Sequence, residues 1–120
     1  MFLAVCITEL QNCVMANICD NKFYIFCEDE KITEQISNKL TDLFNDDLYG
    51  DITYEDESVL EGWFESKWRF PSELFDNFFD EFADEETIYM RCLSEEYGNE
   101  IVSMNVYSDG NWWKPQYFDF

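Results

Sequence analysis

Carboxylates at helical spacing are the side chains of this chain whose pattern most readily suggests chemistry. Asp76, Asp80 and Asp84 recur every four residues, and one such step along a helix is about 6 Å. Two nucleotides of one DNA strand, at about 3.4 Å each, span a similar distance. The stripe could therefore mimic a row of phosphates. Four more acids belong to the same stretch: Glu73, Glu81, Glu85 and Glu86.

This acidic stripe has a physical cost that calls for an explanation. Like charges four residues apart destabilise a helix by about 0.2–0.5 kcal/mol per pair, and no basic residue is interspersed to relieve them. One interpretation is a surface that binds a basic protein. The alternative is a solvated helix face. The acidic runs at Glu28–Glu30, Asp46–Asp47 and Glu55–Glu57 could extend such a surface, although each is also typical of a helix cap or a loop.

The charge balance of the whole chain narrows the class of partner. Its 120 residues include 27 acids, 7 bases and no histidine, which gives a formal net charge of −20. Nucleic acid and anionic membranes are excluded as partners, because a protein of this negative charge is repelled by both, whereas binding to either is driven by attraction to a basic surface. A basic nucleic-acid-binding protein is the expected partner, and the oligomeric state stays open. The apolar start at Met1–Ile7 lacks a basic region, which favours the cytoplasm over secretion.

The residue types argue against catalysis. Without histidine there is no Ser-His or Cys-His pair, and no glycine-rich phosphate loop or EF-hand pattern is present. We therefore expect no enzymatic activity, no cofactor and no metal site. The five cysteines are odd in number and lack the Cys-x-x-Cys spacing, which favours reduced, buried thiols.

The elements that must position the acids follow from periodicity. Apolar residues predict a strand over 22–27 and a helix over 30–44. A short strand at Ile52–Tyr54 and an alternating strand over 60–68 come next. Pro71 then opens a second helix that continues through the acidic stripe. Strands over 87–93 and 101–107 form a hairpin, and an edge piece starts at Trp112. For residues 1–16 a helix and a strand both remain open.

The aromatic residues divide between core and surface. Alternation places Phe64 and Trp68 on one face of their strand and Trp63 on the other. We assign Trp68, Pro71 and the phenylalanines of the second helix to the fold. Trp63 is either a partner-binding anchor or is covered by another segment. The same two interpretations apply to four further aromatic residues: Tyr107, Trp112, Trp113 and Tyr117.

The order strand, helix, strand, helix, strand, strand, with a further hairpin partner from residues 51–68, predicts an α+β domain with both helices on one face of an antiparallel sheet. Two short motifs strengthen this prediction. Met15-Ala16-Asn17-Ile18-Cys19-Asp20-Asn21 resembles the Met-x-Asn-Trp-Cys-x-Asn start of the YubB-type domain of small phage and plasmid proteins. Residues 64–71 are similar to its Phe-x-Thr-x-Trp-x-Pro-Pro stretch, with Ser66 for the threonine and one proline.

This resemblance spans roughly residues 15–110 and implies a ferredoxin-like fold and a mobile-element origin, with no catalytic residues. We expect one domain over 1–120, with an antiparallel sheet of about four to five strands. Residues 1–14 would then extend upstream of the family's usual start.

The functional hypothesis combines the charge with this resemblance. It is a phage- or plasmid-encoded inhibitor, similar to anti-CRISPR proteins, that acts as a DNA mimic in the host bacterial cytoplasm. It would bind a Cas effector through the acidic stripe and Trp63 and block nucleic-acid access. The alternatives are an immunity protein or antitoxin that neutralises a basic nuclease toxin, and an accessory protein with no acidic-surface function.

Overall fold

The computed structural model describes residues 18–96, 98 and 100–119. Within these residues it has two helices and seven strands. In chain order they are β1 (Ile18–Phe26), α1 (Glu30–Asp46), β2 (Gly50–Glu55), β3 (Val59–Lys67), α2 (Ser72–Asp80), β4 (Tyr89–Glu96), β5 (Ile101–Ser108), β6 (Asn111–Trp112) and β7 (Gln116–Asp119). The two alternatives for residues 1–16 and the predicted extension over 1–14 lie outside the described residues.

The strands form one antiparallel sheet in the order β2-β3-β1-β4-β5-β6, and β7 pairs with β5. The α+β class is therefore confirmed, but the expected number of four to five strands is too low. The additional strands come from the C-terminal piece. Pro115 has no N–H to donate to a ladder, and it lies between β6 and β7, which pair with different parts of the same edge of β5.

Both helices pack on the same face of the sheet, as the sequence predicts. Phe44 of α1 lies 6.1 Å from Phe23 of β1 and 6.2 Å from Phe64 of β3, measured between ring centroids. Phe75 of α2 lies 5.4 Å from the same Phe64 ring. Phe64, Phe75 and Phe23 are buried, so the aromatic side chains of both layers form one core. Aromatic pairs at these separations add to the stabilisation from burial alone.

A buried amide fixes the register of the three central strands. Asn21 of β1 donates from Nδ2 to the Phe64 carbonyl oxygen at 3.2 Å and to Ser66 Oγ at 3.0 Å, both on β3. Its Oδ1 accepts a hydrogen bond of 2.6 Å from Ser94 Oγ of β4. A shift of one residue in either pairing would leave these buried polar groups without partners.

The assignment of Trp68 to the core is wrong. Strand β3 ends at Lys67, and Trp68 follows in a bend with φ of 70° and 57% of its surface exposed. The alternation that places it beside Phe64 applies only while the chain is extended. The left-handed backbone conformation at Trp68 turns its side chain out of the core.

The described cysteines Cys19, Cys27 and Cys92 are buried and free. Burial raises the pKa of the Cys19 thiol to about 11 and that of Cys92 to about 12. A thiol that stays protonated at neutral pH is a poor nucleophile. These three residues therefore contribute to packing, as the sequence predicts.

Candidate protein-binding surface

Helix α2 presents carboxylates to solvent because its opposite side is anchored in the core. Phe75, Phe78 and Phe79 are buried, and the Phe79 ring stacks on Tyr107 of β5 at 4.4 Å between centroids. Pro71 occupies the N-cap position without a side-chain hydrogen bond. The acids of the helix lie on the free side, where three of the predicted site residues are exposed: Glu73, Asp76 and Asp80.

The acidic stripe is shorter than the sequence suggests, because α2 has nine residues and ends at Asp80. Beyond it the backbone N–H groups of Phe82, Ala83 and Glu85 each donate to the carbonyl oxygen three residues back. Such tight turns have about three residues per turn, so Asp84 does not stand one helical step beyond Asp80. Asp84, Glu85 and Glu86 follow the helix instead of extending its face.

The electrostatics of a helix end account for this termination. The C-terminus of a helix carries a partial negative charge, and the chain continues from Asp80 with four further acids before Thr87. Each carboxylate added to a longer helix would raise the repulsion. The acids that follow the helix also have local roles, since Glu85 Oε1 accepts a hydrogen bond of 3.0 Å from Thr87 Oγ1.

Glu81 is engaged in an ion pair between the two helices. Its Oε1 lies 2.9 Å from Lys39 Nζ of α1. The same Nζ donates to the Phe78 carbonyl oxygen and lies 4.7 Å from the centre of the Phe78 ring. The sequence shows no base within the acidic stripe, but the fold brings one to it from α1. Glu81 therefore contributes less free charge than the other acids.

Trp63 is on the other side of the sheet from the helix carboxylates. Its neighbour Phe64 points at α2, and successive side chains of a strand point to opposite faces. Trp63 is half-buried, and its ring lies 5.2 Å from that of Tyr49. One flat partner surface therefore cannot contact both Trp63 and the acids of α2.

Helix α1 adds Asp42 to the Asp46–Asp47 run, which the sequence predicts either to extend the acidic surface or to act as a cap or loop. Asp42 and Asp46 are exposed and four residues apart on this helix, and Asp47 follows at its C-cap. They line a groove of about 310 Å³ between the two helices, which Leu74 and Asn77 of α2 line from the other side. The four-residue spacing of Asp42 and Asp46 was the signal available in the sequence.

The other acidic runs act as caps and turns, which is one of the two interpretations given above. Asp29 is the N-cap of α1, and its Oδ1 accepts the backbone N–H groups of Lys31 and Ile32. Asp56 closes the β2–β3 turn by accepting the N–H groups of Ser58 and Val59. The Ser58 N–H, the Tyr54 hydroxyl and the Val59 N–H together lower the pKa of Asp56.

Exposed aromatic side chains also lie along the β5 edge of the sheet, where they are candidates for contact with a partner. Trp113 and Tyr117 are 62% and 65% exposed, and Phe118 is 50% exposed. Tyr107 is buried and Trp112 is partly buried against the core. Of the four aromatic residues named with Trp63 as possible anchors, Trp113 and Tyr117 are therefore the two that are exposed enough to contact a partner.

Among residues 18–96, 98 and 100–119, no three Cys, Asp or Glu side chains are grouped as a metal site requires. Within the same ranges, neither helix is long and apolar enough to cross a membrane. Comparisons with protein-family models, with curated proteins and with solved structures find no match for the chain. Function is therefore inferred from the geometry and charge of the molecule itself.

Proposed function

We propose that this protein is a phage- or plasmid-encoded inhibitor of a bacterial defence system, similar in action to anti-CRISPR proteins. It binds a Cas effector through the solvent-facing side of its helix layer and blocks the access of nucleic acid. The observation that carries the proposal is the exposure of carboxylates on both helices, Asp42 and Asp46 on α1 and Asp76 and Asp80 on α2, in a chain of net charge −20.

The spacing of these acids supports a phosphate-like pattern on each helix. Asp42 and Asp46 make one step of four residues on α1, and Asp76 and Asp80 make one on α2. Each step rises about 6 Å, close to the length of two nucleotides at about 3.4 Å each. The Lys and Arg side chains of a nucleic-acid channel would meet carboxylates where they normally meet phosphates.

The strand order supports the ferredoxin-like part of the proposal. Strand β1 lies between β3 and β4, and β3 lies between β1 and β2. Each helix therefore connects two strands that have a third strand inserted between them, which is the split βαβ arrangement. In this proposal β5, β6 and β7 are additions at one edge of a ferredoxin-like core, and the acidic helices occupy its covered face.

An immunity protein or antitoxin that neutralises a basic nuclease toxin is the second candidate. The exposed Trp113 and Tyr117 side chains favour it, because aromatic anchors dominate the binding energy of tight one-to-one complexes. This candidate predicts protection against a toxin encoded beside the gene. It also predicts that Trp113→Ala and Tyr117→Ala lower the affinity more than neutralisation of the helix acids does.

The experiment that tests the leading proposal expresses the protein in strains that carry one defined CRISPR-Cas or restriction system each. Phage plating or plasmid transformation then reports inhibition. The double variant Asp76→Asn/Asp80→Asn should lose inhibition. The matched control is Asp51→Asn/Asp109→Asn, which removes the same charge at exposed positions of β2 and the β5–β6 turn and should retain inhibition.

Two results would contradict the leading proposal. Absence of inhibition in every strain would exclude a defence inhibitor of these classes. Equal activity of the α2 double variant and the control would show that the helix layer is not the binding surface.

A further inference from the structure

The groove between α1 and α2 has an apolar floor and an acidic rim. Its volume is about 310 Å³. Leu43 and Leu74 are partly buried against the core, and Phe78 belongs to the core, so the floor is fixed by packing. The groove is lined by Lys39, Asp42, Leu43, Asp46, Asp47, Leu74, Asn77 and Phe78.

The acids of the rim are placed where a helix disfavours negative charge. The last turn of α1 contains no basic residue, although the partial negative charge of a helix C-terminus favours cations there. Asp42 and Asp46 also repel each other across one turn. Within residues 18–96, 98 and 100–119, no lysine or arginine lies within ion-pair distance of either carboxylate. A cation supplied from outside the chain would relieve both unfavourable terms.

Helix α2 shows how this fold neutralises an acidic helix C-terminus. The last turn of α2 also lacks a base, but Lys39 reaches it from α1. The Lys39 ammonium lies over the rings of Phe78 and Phe82, donates to the Phe78 carbonyl oxygen and pairs with Glu81. At α2, the Lys39 side chain thus combines an apolar stem over the core with a cationic head at an acidic helix end. At the end of α1 the groove is lined by the same Lys39, but its ammonium pairs with Glu81 and leaves Asp42 and Asp46 without a cationic partner among the described residues.

We propose that the groove binds an arginine or lysine side chain on a basic segment of the partner protein. The aliphatic stem lies on Leu43 and Leu74, and the cationic head lies between Asp42 and Asp46 at the end of α1. Long basic side chains bury their stems against apolar surface in this way while their charge stays solvated or paired. This inference rests on the proposed function, because it names the contact through which the basic partner is held.

The test uses an octa-arginine peptide as the probe and an octa-citrulline peptide, which has a similar shape but no charge, as its control. Amide resonances are followed by NMR in the full chain during titration. The groove predicts saturable shifts for the Leu43, Leu74 and Asn77 amides with octa-arginine and none with octa-citrulline. Shifts spread evenly over the other acidic regions, such as Glu55–Glu57, would overturn the inference.

A pair of variants separates the groove from general charge attraction. Asn77→Arg places a cation at the groove from within the chain, and Gln35→Arg makes the same change in charge at an exposed position of α1 that does not line it and is more than one helical turn from Asp42. We expect Asn77→Arg to weaken peptide binding at least about fivefold more than Gln35→Arg, which is the effect of about 1 kcal/mol. Equal weakening by the two variants would overturn the inference.

Thermal melts show whether a loss of binding reflects unfolding. Asn77→Arg should melt at or above the temperature of the unmodified protein, because its cation relieves the repulsion at the end of α1. A lower melting temperature together with lost binding would count against the groove. The peptide assay involves no defence system, so a localised peptide site in a protein that inhibits nothing would leave the groove standing and refute the proposed function.

Discussion

Lys39 links the two acidic helices, and its replacement by methionine should destabilise the fold. Lys39→Met keeps an apolar stem over the Phe78 and Phe82 rings but removes the ammonium. The change deletes the hydrogen bond to the Phe78 carbonyl oxygen and the 2.9 Å ion pair with Glu81. It also leaves one of the last carbonyl groups of α2 without its cationic partner.

The expected magnitude follows from the surroundings of the ammonium. A hydrogen bond from a charged donor contributes about 1.5–3 kcal/mol. The ion pair adds only about 0.2–1 kcal/mol, because its two side chains are 33% and 58% exposed. Holding the lysine side chain in one conformation costs up to about 2 kcal/mol of conformational entropy, which opposes these gains. We therefore expect Lys39→Met to lower the free energy of unfolding by about 1–2.5 kcal/mol.

Urea unfolding followed by tryptophan fluorescence measures this loss. Lys31→Met is the matched control, because it removes the same charge from an exposed position in the first turn of α1, where a cation opposes the helix dipole. Its effect should stay within about 0.5 kcal/mol. If Lys39→Met costs no more than Lys31→Met, Lys39 does not join the helices in the way described, and the only effect of either change is on the net charge.

Three further predictions concern the fold. Gly62→Ala should lower the free energy of unfolding by about 1–3 kcal/mol in urea titrations, because an added Cβ would lie 2.6 Å from Phe23 Cζ and would also meet the Asp51 carbonyl oxygen; unchanged stability would contradict this contact. Trp68→Gly should leave thermal stability unchanged or raise it, because it relieves the φ of 70°, whereas truncation of a buried tryptophan would cost about 3–5 kcal/mol. Asp56→Ala should lower the melting temperature at neutral pH. Folding lowers the pKa of Asp56, so its stabilisation is present above the unfolded carboxyl pKa of about 3.9 and is lost as pH falls through the folded value. The difference in melting temperature between Asp56→Ala and the unmodified protein should therefore shrink in acid. A difference in melting temperature that is constant with pH would show that the carboxylate charge is not responsible.

Local periodicity was sufficient to predict most of the elements. The apolar face at Ile36 and Leu40 predicted a helix over 30–44, and α1 runs from Glu30 to Asp46. Alternation predicted β3, and the predicted short strand at Ile52–Tyr54 lies within β2. These signals are local because each element must bury one face, and the spacing of its apolar residues records which face that is.

The candidate site was less predictable, because it depends on how elements end and on which side they face. The apolar spacing of α2 continues to Phe82, which is indeed buried, but the helix itself stops at Asp80. Charge repulsion at the C-terminus sets the end of the helix, and the spacing of the apolar residues does not reveal that repulsion. The link from Lys39 to Glu81 joins residues 42 positions apart in sequence, so no local pattern could reveal it.

The salt dependence of binding tests the central claim most directly. The purified protein is titrated against the defence effector that it inhibits, and the affinity is measured between about 50 and about 500 mM salt. If carboxylates on α1 and α2 replace phosphates, affinity should fall steeply with salt, and the slope should be smaller for Asp76→Asn/Asp80→Asn. If the affinity of the unmodified protein and that of the double variant both stay constant over this range, the mimicry of nucleic acid is contradicted.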